Sequence, residues 1–173
     1  PDEVKKLWEQ ALEFDGKIDV LVNNAGILMT SLLTDDEDWQ QGWAKTMQVN
    51  LFAAADLCRY AILHFKEQGG GTIINMASRS SHRGDDEDHL VYGASKGGLL
   101  ALTKGIARSF AHERIYAYAL APAMVKTDMI DDYILDVGEE AFCATLPMRE
   151  IIPPEDIAEM VSFLATGRVR HAT

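Results

Sequence analysis

Apolar residues follow two spacings along the chain, and these predict alternating helices and strands. A period close to 3.6 residues predicts helices over residues 1–14, 35–66, 91–113 and 155–165. Short, mainly apolar runs predict strands over residues 18–22, 72–76 and 115–120. We expect these strands to be buried, the first of them on both faces past Asp19. The alternation of strand and helix is typical of a parallel α/β sheet.

Capping and turn residues mark the ends of these elements. Thr34 or Asp35 is suited to cap the long helix, and the three glycines at 69–71 end it. Two prolines precede the last helix, where proline is tolerated in the first turn. The remaining segments are predicted as a polar loop over 77–90, a loop with an ambiguous second part over 121–138, and a short helix over 139–146.

Composition narrows the function classes. The 173 residues fit one domain, and a net charge of −11 disfavours nucleic acid and anionic membrane surfaces as partners. No apolar run approaches the roughly 20 residues needed to span a bilayer. Cys58 and Cys143 are expected to be reduced thiols, consistent with a reducing cytoplasm. His64, His112 and His171 lack partners at the spacing of a zinc site, and no metal is expected.

Small and hydrogen-bonding residues follow each predicted strand. In an open parallel sheet, ligands bind beyond the carboxyl ends of the strands. The residues at these positions are 23–26, 77–81 and 121–127. The sequence therefore predicts a ligand lying across the three strand ends.

Tyr92 and Lys96 lie four residues apart near the start of a predicted helix, which places them on one face. A nearby ammonium and the helix dipole would favour the phenolate, so that Tyr92 could exchange a proton with an alcohol or carbonyl oxygen. Ser78 could donate a hydrogen bond to the same oxygen. Alone, a Tyr-x-x-x-Lys pair is more often a surface pair, and a serine after a strand more often stabilises a turn. Their combination at the ends of predicted strands favours an active site.

Together these motifs resemble the short-chain dehydrogenase/reductase family, in its one-domain Rossmann-fold subgroup. The segments that carry the resemblance are Asn23-Asn24-Ala25-Gly26, Val49-Asn50-Leu51, Asn75-Met76-Ala77-Ser78, Tyr92-Gly93-Ala94-Ser95-Lys96 and Pro122 to Thr127. The resemblance implies a Rossmann-like doubly wound parallel sheet in three α/β/α layers. It covers nearly the whole chain, which would be a single partial domain over residues 1–173.

The resemblance implies an NAD(P)-dependent oxidoreductase that transfers hydride between nicotinamide and a secondary alcohol or ketone. Tyr92 would be the general acid/base, Lys96 would lower its pKa and hold the nicotinamide ribose, and Ser78 would hold the substrate oxygen. Asn50 would position a water that joins Lys96 to a proton relay. The residues implied to contact the cofactor, besides Tyr92 and Lys96, are Asn23, Asn24, Ala25 and Gly26 on the adenosine-ribose side, and Pro122, Val125 and Thr127 on the nicotinamide side.

Three features depart from the family pattern. The glycine-rich phosphate-binding turn and the final strand are expected to lie outside these 173 residues, as parts of a longer protein. A shortened form and a decayed gene product are the alternatives. The family residue that selects NAD or NADP would also lie outside these 173 residues, so the choice between the two cofactors stays open. Ala123 follows Pro122 where the family often has glycine, which bears on the geometry of that loop.

Other hypotheses remain. The acidic run at 85–88 is either a solvated, helix-capping loop or an electrostatic filter against anionic substrates, and His82 and His89 could touch substrate. Residues 121–146 resemble a substrate lid with an apolar surface formed by Met124, Met129, Ile130, Tyr133, Ile134 and Phe142. The family pairs two of its helices across a dimer axis, which implies a homo-oligomer, usually a tetramer. Alternative functions are a non-catalytic dinucleotide sensor or scaffold and a related epimerase or dehydratase.

Overall fold

The centre of the molecule is a parallel sheet of three strands. The structure is a computed structural model that describes residues 2–173, except the side chains of Asp132 and Tyr133. The strands are β1 (Val20–Asn23), β2 (Gly71–Met76) and β3 (Ile115–Leu120), in the order β1-β2-β3. Ile74 of β2 lies beside Val22 on one side and Tyr118 on the other. The parallel register brings all three carboxyl ends to one edge of the sheet.

Helices connect and follow the strands. The α-helices of the described chain are α1 (Asp2–Asp15), α2 (Asp36–Met47), α3 (Ala54–Gln68), α4 (Ser80–Arg83), α5 (Leu90–Phe110), α6 (Asp131–Val137), α7 (Glu139–Ala144) and α8 (Pro154–Ala165). Asp35 caps α2, since its carboxylate accepts hydrogen bonds from the backbone N–H groups of Glu37 and Asp38 at 2.9 and 3.0 Å. Gly69 ends α3 in the left-handed conformation, with φ of 90°.

The two faces of the sheet bury different side chains because successive residues of a strand point to opposite sides. On one face, Ile73 and Ala117 pack with Phe65 of α3 and Ile106 of α5. On the other face, Ile74 and Tyr118 pack with Leu164 of α8. The result is the three-layer, Rossmann-like α/β/α arrangement expected from the sequence.

A π-helical segment at Gln48–Ala53 joins α2 to α3 without an intervening loop. Residues 35–66 are therefore helical almost throughout, as predicted, but they form two α-helices joined by a π-helical segment rather than one regular helix. Asn50 lies in this segment and is buried. Such widened turns occur frequently at functional sites.

Two sequence predictions need correction. Residues 77–90 are not only a loop: they contain α4 and a 3-10 turn at Glu87–His89, which are too short to show a hydrophobic period. The expectation that the first strand is buried on both faces is wrong, because Val22 is 40% exposed. Its neighbour Ile74 packs with Leu164 of α8, whereas Val22 is not among the side chains of that cluster. The first helix is described from Asp2, so the Pro1 end of its prediction falls outside the described residues.

Candidate active site

Ser78 and Tyr92 come together beyond the end of β2. Ser78 lies two residues after that strand, and Tyr92 lies in the first turn of α5. The Ser78 side chain lies near enough to the Tyr92 phenol to lower its pKa. The Ser78 Oγ also accepts a hydrogen bond from the backbone N–H of Ser80, at 3.1 Å. The phenol and the Ser78 hydroxyl are therefore near enough that both could contact one oxygen of a reacting carbonyl or alcohol.

Lys96 lies one helical turn after Tyr92 and is almost completely buried. Its Nζ donates a hydrogen bond to the backbone carbonyl of Met76, the last residue of β2, at 2.8 Å. The Nζ is 5.8 Å from the centre of the Tyr92 ring. Burial lowers the pKa of Lys96 to about 8 because an ammonium loses hydration there. Lys96 thus links the helix that carries Tyr92 to the strand that precedes Ser78.

The pKa of Tyr92 is shifted upward, contrary to the expectation from the sequence. Burial raises it because the phenolate is poorly solvated there; the hydrogen bond from Ser78 lowers it, and the negative charge of Asp85 raises it further. Lys96 directs its ammonium to the Met76 carbonyl rather than to the phenol. The raised pKa favours the phenol over the phenolate, so the Tyr92 hydroxyl keeps a proton that it could donate.

Asn50 connects the end of β1 to the start of α5. Its Oδ1 accepts a hydrogen bond from the backbone N–H of Ile27 at 2.8 Å, and its Nδ2 donates to the Ile27 carbonyl at 2.9 Å. The same Nδ2 donates to Ser95 Oγ at 3.1 Å, and Ser95 Oγ donates to the carbonyl of Tyr92 at 2.8 Å. The side chain of Asn50 therefore holds the segment after β1 beside the helix of Tyr92 and Lys96. Sequence reasoning missed Ser95, although it precedes Lys96 directly.

Asn23 has a different role from the rest of the motif after β1. Its buried Nδ2 donates to Asn75 Oδ1 at 2.8 Å, and Asn75 Nδ2 donates to Thr103 Oγ1 of α5, also at 2.8 Å. Asn23 Nδ2 further contacts the sulfur of Cys58 at 3.3 Å. Burial raises the pKa of the Cys58 thiol to about 11, the two asparagine amides opposing this shift. The side chain of Asn23 thus joins β1, β2, α3 and α5, whereas Asn24 and Ala25 are exposed at the strand end.

The glycine at the end of this motif allows a close approach. A Cβ on Gly26 would lie 3.2 Å from Lys96 Nζ and 3.5 Å from Asn50 Oδ1. The absence of a side chain therefore lets the backbone after β1 lie close to the Lys96 ammonium. An ammonium has three N–H donors, and the bond to Met76 uses one of them. Both observations fit a ribose hydroxyl of a nicotinamide cofactor at this position.

The segment after β3 completes the edge. The carbonyl of Pro122 accepts a hydrogen bond from the backbone N–H of Arg79 at 2.9 Å, so this loop lies against the residue that follows Ser78. Val125 pairs with Ile152, and Thr127 is exposed. Their contacts with a nicotinamide stay a prediction.

The expected lid contains α6 and α7. Ile130 and Phe142 are buried, while Met129 is 42% exposed. The side chain of Tyr133, also expected in the lid's apolar surface, lies outside the described residues.

Within residues 2–173, apart from the two side chains left undescribed, no group of three His, Cys, Asp or Glu side chains could hold a metal ion. In the same part of the chain, no helix is long and apolar enough to cross a membrane.

Comparison with known proteins agrees with this geometry. Residues 1–173 match a family model described as enoyl-(acyl carrier protein) reductase. The chain belongs to the short-chain dehydrogenase/reductase family, a class of NAD(P)-dependent oxidoreductases that act on ketones and alcohols. The family and fold expected from the sequence are therefore confirmed.

Several relatives are similar over most of the chain. A 3-oxoacyl-[acyl-carrier-protein] reductase of Thermotoga maritima is 30% identical over 99% of this chain and 68% of its own length. Carbonyl reductase family member 4 of Xenopus laevis is 34% identical over 86% of this chain and 60% of its own length. The chain thus spans about two thirds of the length of these relatives.

Solved structures show the same fold. ElxO with NADP bound has a TM-score of 0.87 and 28% identity, over 98% of this chain and 68% of that chain. The 3-ketoacyl-(acyl-carrier-protein) reductase of Brucella melitensis, complexed with NADH, has a TM-score of 0.84 and 30% identity, over 96% and 68%. Both nicotinamide cofactors therefore occur among similar structures, and NAD or NADP is the cofactor class.

Proposed function

We propose that Tyr92 is the general acid/base of a reductase that acts on a ketone, with Ser78 and Lys96 as its partners and Asn50 as the fourth member of the catalytic set. The observation that carries this proposal is the grouping of three side chains: Ser78 lies near enough to the Tyr92 phenol to lower its pKa, and Lys96 Nζ is 5.8 Å from the centre of the Tyr92 ring. This arrangement would offer one substrate oxygen a proton donor, Tyr92, and a second hydrogen bond, from Ser78, that stabilises developing charge.

The chemistry divides between the protein and the cofactor. A nicotinamide cofactor, when bound, would supply a hydride to the carbonyl carbon or accept one in alcohol oxidation. Tyr92 donates its phenolic proton to the substrate oxygen in reduction and takes it back in oxidation. Ser78 holds that oxygen by a hydrogen bond and stabilises the negative charge that develops on it. Lys96 supplies a positive charge beside the site, and the water-positioning role of Asn50 belongs to the same proposal.

Three groups of residues would hold the cofactor. Lys96 and Tyr92 would contact the nicotinamide ribose, which is supported by the N–H donors of Lys96 that the bond to the Met76 carbonyl does not use. The segment of Asn23, Asn24, Ala25 and Gly26 would line the adenosine-ribose side, through its backbone and its exposed side chains. Pro122, Val125 and Thr127 would contact the nicotinamide ring and carboxamide.

A homo-oligomer, a dimer or tetramer, is part of the proposal. A groove of about 340 Å³ runs between α3 and α5, lined mainly by apolar groups that include Ile62, Leu102, Ile106 and Phe110. An exposed apolar groove of this kind supports contact with a second copy of the chain. A monomeric mass for the full-length protein in solution would contradict this proposal.

The two free cysteines support a location in the reducing cytoplasm.

Replacing Tyr92 tests the catalytic assignment. In the full-length protein, Tyr92→Phe removes the proton donor and keeps the ring, so turnover of a ketone panel should fall by about 10²–10⁴-fold. Steady-state kinetics measures the loss, and fluorescence titration with NADH and NADPH should show cofactor binding retained.

The matched control is Tyr60→Phe, which changes a tyrosine on α3 that stacks on Trp8 away from the site. It should keep normal turnover. Near-normal turnover in Tyr92→Phe refutes the assignment, and cofactor binding without turnover of any substrate by the unaltered protein favours a sensor instead.

A further inference from the structure

Ser95 joins the helix of the proposed acid/base to the π-helical segment that carries Asn50. It lies between Tyr92 and Lys96 on α5 and is fully buried. Its Oγ donates a hydrogen bond to the Tyr92 carbonyl at 2.8 Å and accepts one from Asn50 Nδ2 at 3.1 Å. The Ser95 hydroxyl is therefore bonded both within α5 and to the element packed against it.

The direction of each hydrogen bond in this group is determined. A hydroxyl has one proton and a carbonyl can only accept, so the proton of Ser95 points to the Tyr92 carbonyl. The Ser95 oxygen is then left to accept from Asn50 Nδ2. The other N–H of Nδ2 binds the Ile27 carbonyl at 2.9 Å, and Oδ1 accepts from the Ile27 N–H at 2.8 Å. The Asn50 amide therefore has one orientation in which all its bonds are made.

The backbones of α5 and the π-helical segment come close at this point. Gly98 lies three residues after Ser95 and so on the same side of α5. A Cβ on Gly98 would lie only 2.8 Å from Cδ2 of Leu51. The π-helical segment thus packs directly on α5 through two neighbouring contacts, of which the bond between Ser95 and Asn50 is the polar one.

Asn50 is also close to the residues beside Lys96. A Cβ on Gly26 would lie 3.5 Å from Asn50 Oδ1 and 3.2 Å from Lys96 Nζ, so the backbone at Gly26 approaches both groups. Ile27, which holds the Asn50 amide, follows Gly26 directly. A shift of the Asn50 amide would therefore move the backbone that lies against the ammonium.

Thr103 forms the same pattern of bonds elsewhere on α5. Its Oγ1 donates to the Leu99 carbonyl at 2.7 Å and accepts from Asn75 Nδ2 at 2.8 Å. Thr103 is also buried, but it lies roughly two helical turns beyond Ser95 and binds a residue of β2. The Thr103 hydroxyl therefore shows what such a group contributes to the fold away from the proposed catalytic residues.

We propose that Ser95 is a positioning residue for proton transfer and acts through Asn50. Its hydroxyl holds the Asn50 amide against Ile27, which keeps the backbone beside the Lys96 ammonium in place. Without the hydroxyl, one N–H of Asn50 would be buried with no partner, and the amide would shift to regain one. The inference rests on the proposed function, in which Tyr92 exchanges the proton with substrate.

The test is Ser95→Ala in the full-length protein, because alanine removes the hydroxyl and little else. The geometry of proton transfer is disturbed, so kcat for reduction of a ketone panel should fall by about 10–100-fold. The KM for the ketone and the Kd for NADH or NADPH should stay within about threefold, since Ser95 contacts neither ligand. Steady-state kinetics and fluorescence titration measure these values. Normal kcat in the folded variant overturns the inference.

Combining this change with Asn50→Ala shows whether Ser95 acts through Asn50. Once the amide is absent, Ser95→Ala should lower kcat further by less than about twofold. A further loss as large as that caused by Ser95→Ala alone would mean that the two residues act independently, and it overturns the inference.

Thr103→Val is the matched control, because it removes the corresponding hydroxyl from the same helix. Thermal denaturation should show a loss of stability, as for Ser95→Ala, but kcat should stay normal. Equal falls of kcat in the two variants would indicate a general loosening of α5 and would overturn the inference.

Ser95→Cys serves if Ser95→Ala does not fold. A thiol is a weaker donor and acceptor than a hydroxyl, so kcat should fall by about 3–10-fold with KM little changed. Normal kcat in this variant overturns the inference as well. In that case a loss of turnover in Tyr92→Phe would still support Tyr92 as the general acid/base, so the two proposals can fail separately.

Discussion

The layer formed by α3, β2 and α5 differs sharply from the segment at residues 121–152 that follows β3. In the first region, Phe65, Ile73 and Leu99 are fully buried, and polar groups such as Asn75 and Thr103 are paired inside. In the second, Leu135 and Met148 are 81% and 78% exposed. The groups proposed for proton transfer belong to the packed region, and the proposed substrate lid belongs to the exposed one. Close packing thus holds the proposed reacting groups in place. The exposed side chains of the proposed substrate lid are constrained much less by their neighbours.

The largest expected effect is the loss of stability on replacing a side chain in the packed layer. Phe65→Ala should destabilise the protein by about 3–5 kcal/mol, because its ring fills a fully buried site. The packing there is close: a Cβ on Gly71 would lie only 2.4 Å from the Phe65 ring. Urea denaturation measures the change. Met148→Ala, the control in the exposed segment, should stay within about 0.5 kcal/mol; comparable losses in both variants would contradict the distinction.

Lys96→Met tests the cost of a buried ammonium. The pKa of Lys96 is about 8 in the folded protein and 10.5 in an ordinary environment, so the unfolded chain binds more protons between these values. Stability due to Lys96 therefore increases with pH from about 8 to 10.5. The variant should be more stable at pH 7, by about 1–3 kcal/mol, and should lack this rise.

Thermal denaturation of both proteins between pH 7 and pH 10 checks this expectation. Lys104→Met, on the exposed side of α5, is the matched control and should leave the pH dependence as it is. A destabilised Lys96→Met variant at pH 7 would mean that the bond to the Met76 carbonyl outweighs the loss of hydration.

The smallest effect is expected in the exposed segment. Lys126 and Glu139 form an ion pair at 3.3 Å, with side chains 58% and 57% exposed. Exposed pairs contribute little because water and salt screen them. Lys126→Ala should change the free energy of unfolding by less than about 0.5 kcal/mol, measured by urea denaturation. A decrease of more than about 1 kcal/mol in the free energy of unfolding would show that the ion pair stabilises this segment more than an exposed pair normally does.

Local patterns in the sequence predicted much of the fold and the positions of the central residues. The strand at 115–120 was predicted with its observed bounds, and Ser78, Tyr92 and Lys96 lie together as expected. Other features depend on contacts between distant residues, which a hydrophobic period does not encode. The bond between Asn75 and Thr103 crosses from a strand to a helix, and the approach of Asp85 to Gly93 depends on the backbone angle of Gly84. The direction of the Tyr92 pKa likewise depends on burial, which is a property of the folded chain.

The π-helical segment at Gln48–Ala53 has a consequence for how this part of the chain tolerates change. A single residue corresponds to about 100° of rotation around a helix, so the widened turn offsets the angular phase of α2 from that of α3. Each helix can then align its own apolar side with a different neighbour, although the two are continuous. Loss of one residue here would restore a regular α-helix, but it would rotate α2 away from the partners it packs against and would take Asn50 out of reach of Ile27.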